Sequence, residues 1–244
     1  MTFSKHFNLA LRSLAFNFCG LTVTACMALL FLPFLLLPRA YTLWIPRVWI
    51  SSILFLLKHI THLTFEIQGP IPQTPSLIAS KHQSTFETLV FHKIFKKPVY
   101  FLKQELLYVP ILGWYFKKAG MIPVKRHRGS IPFKALQHLA QQKLSEGHTV
   151  IIFPEGTRTS PNTYTPYKTG IALFYQALNC PVVPVALNSG LFWGRRSFLK
   201  YPGRIIIEFL PPILPGLMSK AFMAQLESEI ETKTKELMHV SPKA

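Results

Sequence analysis

An α/β domain with a mixed, largely parallel sheet flanked by helices is expected, carrying an N-terminal membrane-embedded helical pair. Three observations predict it. From His62 onward, short apolar runs take turns with helical spacings, the pattern of strands joined by crossover helices. Before that point, 26 consecutive residues between Arg12 and Arg39 carry no charge. The chain is also both apolar (49% hydrophobic) and basic, with a formal net charge of +17. That combination suits a protein held at an anionic membrane surface, where each nearby Lys or Arg contributes roughly 1 kcal/mol.

The elements follow in order. A straight helix over the uncharged run would be about 39 Å long, more than a hydrocarbon core of about 30 Å. Pro33 and Pro38 argue against straightness, because an interior proline removes a backbone hydrogen bond. A second apolar stretch, 48–57, is too short to span alone and follows Tyr41, Trp44 and Trp49, residues that favour the headgroup level. A hairpin dipping into one leaflet, its basic flanks both on the cytosolic side, is the preferred reading. A single span and a buried helical pair of a soluble protein are the alternatives. The length of the run and the absence of a small-residue cleavage site argue against a signal peptide. Residues 1–58 are thus read as membrane-binding helices and 59–244 as the second domain. In the latter, strands are expected at 62–68, 77–80, 99–103, 121–124, 150–153, 182–187 and 204–210. Helices are expected at 85–95, 133–145, 170–178 and 220–238, with an interrupted one at 106–118.

Five of the 27 basic residues and none of the ten acids lie in the first 58 positions, so the second domain is itself strongly basic. Nucleic acid is not the expected partner: no zinc-finger spacing, RNP-like motif or Gly/Arg-rich run accompanies the charge. Three cysteines, Cys19, Cys26 and Cys180, make neither a disulfide framework nor a metal pattern, and a reducing compartment is expected.

The chain contains no Asp, so carboxylate chemistry falls to its ten Glu residues. Glu87 is the acid nearest a plausible catalytic histidine, His82, with four residues between them. Two readings stand. Glu87 closes a capping box with Ser84 at a helix N-terminus, or it orients one ring nitrogen of His82 and leaves the other to take a proton. A second signal is 153–160, FPEGTRTS, where a buried strand runs into Pro154, Glu155, Gly156, Thr157 and Arg158. Gly156 lets the backbone approach an anion and Arg158 can grip phosphate in two places; the alternative is a polar turn whose Glu155 and Arg158 pair with each other. A third signal is Lys103 to Gly113 followed by Gly120 to Arg126, where Arg126 at a strand end faces a phosphate or is a solvated base. There is no G-x-S-x-G elbow and no P-loop.

Taken in order, four pieces resemble the glycerolipid acyltransferases, in particular their bacterial members that act on 1-acylglycerol-3-phosphate. The first is His82 with Glu87, and the second Lys103 through Arg126. The third is F-P-E-G-T-R, matched letter for letter at 153–158, and the fourth is the Val183-Pro184-Val185 strand. The family's usual acid in the first piece is Asp, which Glu87 replaces with a longer side chain. The resemblance implies transfer of an acyl group from acyl-CoA or acyl carrier protein to the sn-2 hydroxyl of lysophosphatidate, giving phosphatidic acid. His82 would be the base and Glu87 its orienting acid. Arg126, Arg158 and Lys103 would hold phosphate, and Glu155 would shape the loop or contact the glycerol. Backbone N–H groups near Gly156 or its neighbours would supply oxyanion donors, and Gly156 and Thr157 would belong to the substrate-binding residues. It implies no cofactor, metal or covalent intermediate, and a catalytic domain on the cytoplasmic face of a bacterial inner membrane. Lyso-ornithine lipid or another lysophospholipid is the alternative acceptor.

Overall fold

The computed structural model describes residues 3–124 and 132–240. Seven strands form one sheet: β1 (Leu63–Gln68), β2 (Leu77–Ser80), β3 (Pro98–Lys103), β4 (Ile122–Val124), β5 (Thr149–Ile152), β6 (Val182–Leu187) and β7 (Gly203–Phe209), in the order β1-β7-β6-β2-β5-β3-β4. All neighbours run parallel except β6 and β7, so the sheet is mixed and largely parallel as expected. The central strands β2 and β6 are buried at every position, which is why they read as continuous apolar runs rather than alternating ones.

Helix α3 (Phe86–Ile94) carries the chain from β2 past β5 to β3, and α6 (Gly170–Leu178) carries it from β5 past β2 to β6. These crossovers step in opposite directions, and right-handed connections therefore place their helices on opposite faces. The two halves of the core agree. Phe86, Val90 and Phe91 of α3 pack with Ile78, Ile151 and Val183. Ile171, Phe174 and Tyr175 of α6 pack with Leu77, Val150 and Val182, joined by α8 (Ser219–Val240) through Phe222, Leu226 and Ile230. The chains leaving β2 and β5 diverge, opening a crevice at the carboxyl ends of the central strands. Helix α5 (Phe133–Ser145) falls where its amphipathic spacing predicted, and α7 (Ser189–Phe192) was not anticipated.

The N-terminal segment is a helical hairpin. Helix α1 (Phe3–Leu30) begins before the uncharged run and stops short of Pro33, and single 3-10 turns at Leu32–Leu36 and Arg39–Thr42 carry the reversal. Helix α2 (Ile45–Leu56) continues through one π turn to Thr61. The Trp49 indole N–H donates to Thr24 Oγ1 at 3.0 Å and Ile53 packs against Gly20, so the helices run antiparallel. Their inner faces join the domain core: Phe16, Ile50, Ile53 and Leu57 belong to the cluster built around α3. The Phe16 ring meets Trp193 edge-on at 5.6 Å, and Ser13 Oγ accepts the Lys200 backbone N–H at 3.0 Å. The outer face is apolar and exposed, with Phe7, Leu11, Phe18, Leu21 and Phe55 turned to the outside. Two helical stretches, Ser4–Leu30 and Arg39–Thr61, are long and apolar enough to cross a membrane.

The single interrupted helix expected at 106–118 is two pieces, a 3-10 turn at Gln104–Tyr108 and α4 (Leu112–Lys118), divided by Pro110 and Ile111. At the end of β1, Gly69 adopts φ +75°, and a Cβ there would lie 2.0 Å from the Phe209 carbonyl oxygen. Gly69→Ala is expected to destabilise the fold by at least about 2 kcal/mol, read as a lower thermal midpoint in detergent by circular dichroism.

Candidate active site

The crevice receives His82 from the loop after β2, Glu155 from the loop after β5 and Ser189 from α7, directly after β6. Glu87 sits in the first turn of α3, fully buried. Its Oε1 accepts the Gln83 and Ser84 backbone N–H groups, each at 2.7 Å, and lies 2.9 Å from His82 Nδ1. Its Oε2 accepts the Ser189 hydroxyl at 2.9 Å. One oxygen of Glu87 thus gathers the backbone N–H groups of the loop ahead of α3 and the imidazole together, whereas the N-cap of the helix itself, Thr85, makes no side-chain cap hydrogen bond. With Nδ1–H donating to the carboxylate, Nε2 carries the lone pair, and nothing among the described residues binds it. The ring is fixed from one side by Phe153, stacked at 3.9 Å and 17°.

Glu155 is also buried, and the protein uses both its oxygens. Oε1 receives Lys81 Nζ at 2.7 Å and the Thr159 hydroxyl at 2.6 Å, and Oε2 receives the His82 backbone N–H at 2.8 Å. Burial raises the Glu155 pKa, opposed by the Lys81 charge and these hydrogen bonds. Lys81, itself buried, bridges on to Glu231 of α8 at 2.6 Å. A buried charge left unpaired is strongly destabilising, so this chain of pairs fixes the loop after β5 against that after β2. The Thr159 N–H donates to the His82 carbonyl at 2.8 Å and closes the connection. Both Glu155 oxygens are thus occupied by groups of the two loops.

No ion pair joins Glu155 to Arg158, so 153–158 is not a self-paired polar turn. Arg158 instead donates from Nη1 to Thr85 Oγ1 at 2.8 Å, which sets a half-buried guanidinium on the loop that carries His82. Gly156 has φ +67°, and its N–H donates to the Phe153 carbonyl at 2.9 Å across Pro154. The Gly156 N–H is therefore engaged within its own turn. The Thr157 N–H has no acceptor among the described residues. Lys103 ends β3, exposed, in register with Val124, and forms no ion pair with Glu105. Arg126 lies outside the described residues.

Sequence reading missed Ser189, Gln83 and Glu231 as parts of the site. Gln83 Oε1 accepts the Gly190 N–H at 3.0 Å and ties α7 to the His82 loop. Ser189 is 102 positions from Glu87, and no local pattern announces such a pair. A second histidine, His92, lies on the same helix as Glu87. Its half-buried ring stacks on Tyr100, and desolvation lowers its pKa to about 4, which favours the neutral form.

An imidazole held by a buried carboxylate, its second nitrogen open beside an arginine-bearing loop, is an arrangement able to take a proton from a hydroxyl. The Acyltransferase family model matches residues 62–188, more than half the chain, and the chain belongs to that family. It is 31% identical over 207 residues to the 1-acyl-sn-glycerol-3-phosphate acyltransferase of Pseudomonas aeruginosa, covering 84% of this chain and 80% of that one. It is 26% identical over 162 residues to the mouse 1-acyl-sn-glycerol-3-phosphate acyltransferase alpha, covering 64% of this chain and 57% of the relative. Its fold is that of the 1-acyl-sn-glycerophosphate acyltransferase PlsC of Thermotoga maritima, with a TM-score of 0.74 at 18% identity over 93% of this chain and 97% of that one.

Proposed function

We propose that this enzyme transfers an acyl group from an acyl thioester to the sn-2 hydroxyl of 1-acylglycerol-3-phosphate, giving phosphatidic acid. The observation that carries the reading is the His82–Glu87 pair, 2.9 Å apart with Nε2 open, next to the Arg158 guanidinium on Thr85 of the same loop. The bacterial and mammalian relatives named for this activity support it. A hydroxyl is a weak nucleophile at neutral pH. Nε2 of His82 takes its proton as the oxygen attacks the thioester carbonyl, and Glu87 stabilises the imidazolium that forms. The tetrahedral oxyanion takes the Thr157 N–H as a donor. Collapse breaks the C–S bond, and the imidazolium returns the proton to the leaving thiolate. Arg158 holds the acceptor phosphate through its remaining donors, with Lys103 and Arg126 as further cations. The donor is acyl-CoA or acyl carrier protein, both acidic and both attracted by the basic domain. The exposed apolar hairpin embeds in one leaflet of a bacterial inner membrane and keeps the site on the cytoplasmic face, against anionic headgroups.

The test crosses both donors with a panel of lysophosphatidate, other lysophospholipids and lyso-ornithine lipid. Thioester-dependent product from lysophosphatidate well above the rest is expected. Arg158→Ala is expected to raise KM for lysophosphatidate about tenfold or more, with a smaller change in kcat. Preference for lyso-ornithine lipid, with KM insensitive to Arg158, would reassign the acceptor within the same chemistry.

A further inference from the structure

The segment between β3 and β4 is apolar on its outside in a way the core does not require. Leu106, Tyr108, Val109, Leu112 and Trp114 are 41%, 71%, 37%, 39% and 51% exposed. Their presentation is built into the backbone. Ile111 stands at φ 64°, ψ −59°, the centre of a γ-turn in which the Leu112 N–H reaches the Pro110 carbonyl at 2.7 Å. That conformation costs on the order of 1–3 kcal/mol for a β-branched residue. Two residues on, a Cβ at Gly113 would sit 2.2 Å from the Leu107 carbonyl oxygen, so the two pieces of the segment are folded tightly on each other. A strained, close-packed segment that turns five large apolar side chains outward is shaped for something they meet.

The same segment is tied to the turn of the hairpin. The Tyr115 hydroxyl donates to the Ala28 carbonyl at 2.9 Å, and Lys118 Nζ donates to the carbonyls of Leu35, at 2.9 Å, and Leu37. Ala28 lies in the last turn of α1, where carbonyls lose their helical partners. Against hydrocarbon, an unpaired carbonyl is costly, so α4 must lie wherever that turn lies. The turn to which the segment is tied exposes Leu29, Leu30, Leu36 and Leu37 of its own. Its exposed charges are basic at Lys103 and Lys117, with Glu105 the one acid in 103–118. A basic rim around an apolar face complements an anionic bilayer.

We infer that residues 104–118 are a second membrane-contacting element, inserting Tyr108 and Trp114 into the headgroup–acyl boundary of the leaflet that holds the hairpin. Because Lys103 begins this element at the end of β3, the contact sets the edge of the active-site crevice against the lipid from which the acceptor comes. The inference rests on the hairpin reading, and one experiment separates the two. In the full-length protein with Cys19, Cys26 and Cys180 replaced, single cysteines are placed by Leu36→Cys, Trp114→Cys and Lys220→Cys and labelled with an environment-sensitive fluorophore. The labelled proteins are reconstituted in phosphatidylcholine–phosphatidylglycerol vesicles carrying nitroxide lipids. Labels at positions 36 and 114 are expected to shift to the blue and be quenched, and the label at 220 on α8 to be unaffected. Quenching at 36 with a water-like signal at 114 would overturn the inference and leave the hairpin in place; water-like signals at both would overturn both. In a second arm, Tyr108→Glu with Trp114→Glu is expected to reduce activity on vesicle-borne acceptor by about tenfold, with activity in detergent micelles retained. Equal activity on both would count against the contact.

Discussion

His82→Ala lowers kcat for acyl transfer by about 10²–10⁴-fold or more, with the thermal midpoint close to that of the parent. The size follows from what the ring supplies. Without it, the acceptor hydroxyl must lose its proton to water during attack, and the thiolate must leave unprotonated. The fold is expected to survive because the imidazole contributes little else: it stacks on Phe153 and gives Glu87 one of four donors, of which the Gln83 and Ser84 N–H groups and the Ser189 hydroxyl remain. The check is a steady-state assay paired with a circular-dichroism melt. An unchanged kcat would remove His82 from the chemistry.

Glu87 gives the second large effect, and here the two obvious substitutions separate. Glu87→Gln keeps the length: its carbonyl oxygen can stay on His82 and the backbone N–H groups while its amide faces the Ser189 hydroxyl, which turns to accept. The lost charge no longer stabilises the imidazolium, and kcat is expected to fall by about 10–10³-fold with a modest loss of stability. Glu87→Asp keeps the charge but shortens the reach by about 1.5 Å. It cannot serve the helix entrance, His82 and Ser189 together. A drop in kcat of roughly 10-fold or more is expected even though Asp is the acid usual at this place in the glycerolipid acyltransferases. Full activity in Glu87→Asp, read in the same assay, would show that the Ser189 contact and the longer arm have no bearing on the base.

Much of the sheet is legible in the sequence, because the central strands are apolar on both faces and short. The runs at 77–80 and 182–187 match β2 and β6 to the residue, and 133–145 and 170–178 match α5 and α6. Local pattern failed where a conformation answers to distant atoms. The four residues of α7 have no period to read, yet they carry Ser189 to Glu87. The γ-turn at Ile111 breaks the expected helix because Gly113 is drawn against Leu107. The FPEGTR stretch was recognised for its chemistry, but the division of labour within it was hidden. Lys81 and Thr159 claim Glu155, and Thr85 claims Arg158. Each of these partners except Thr159 comes from the other loop, 73 or 74 positions away. Arg126 lies outside the described residues, and its part in holding phosphate rests on the resemblance.

The hairpin's inner face shares a core with α3, the helix that carries Glu87. Position 58 marks a change in the sequence, but it is a poor place to cut. A chain beginning at His59 would lose Phe16, Ile50, Ile53 and Leu57 from around Phe86 and Phe91, trading the hairpin's apolar outer face for a freshly exposed surface of aromatic rings. Such a fragment would aggregate rather than dissolve. A water-soluble form is better sought by recolouring the outer face of α1 and α2 with polar residues, at Phe7, Leu11, Phe18, Leu21 and Phe55, than by removing the helices.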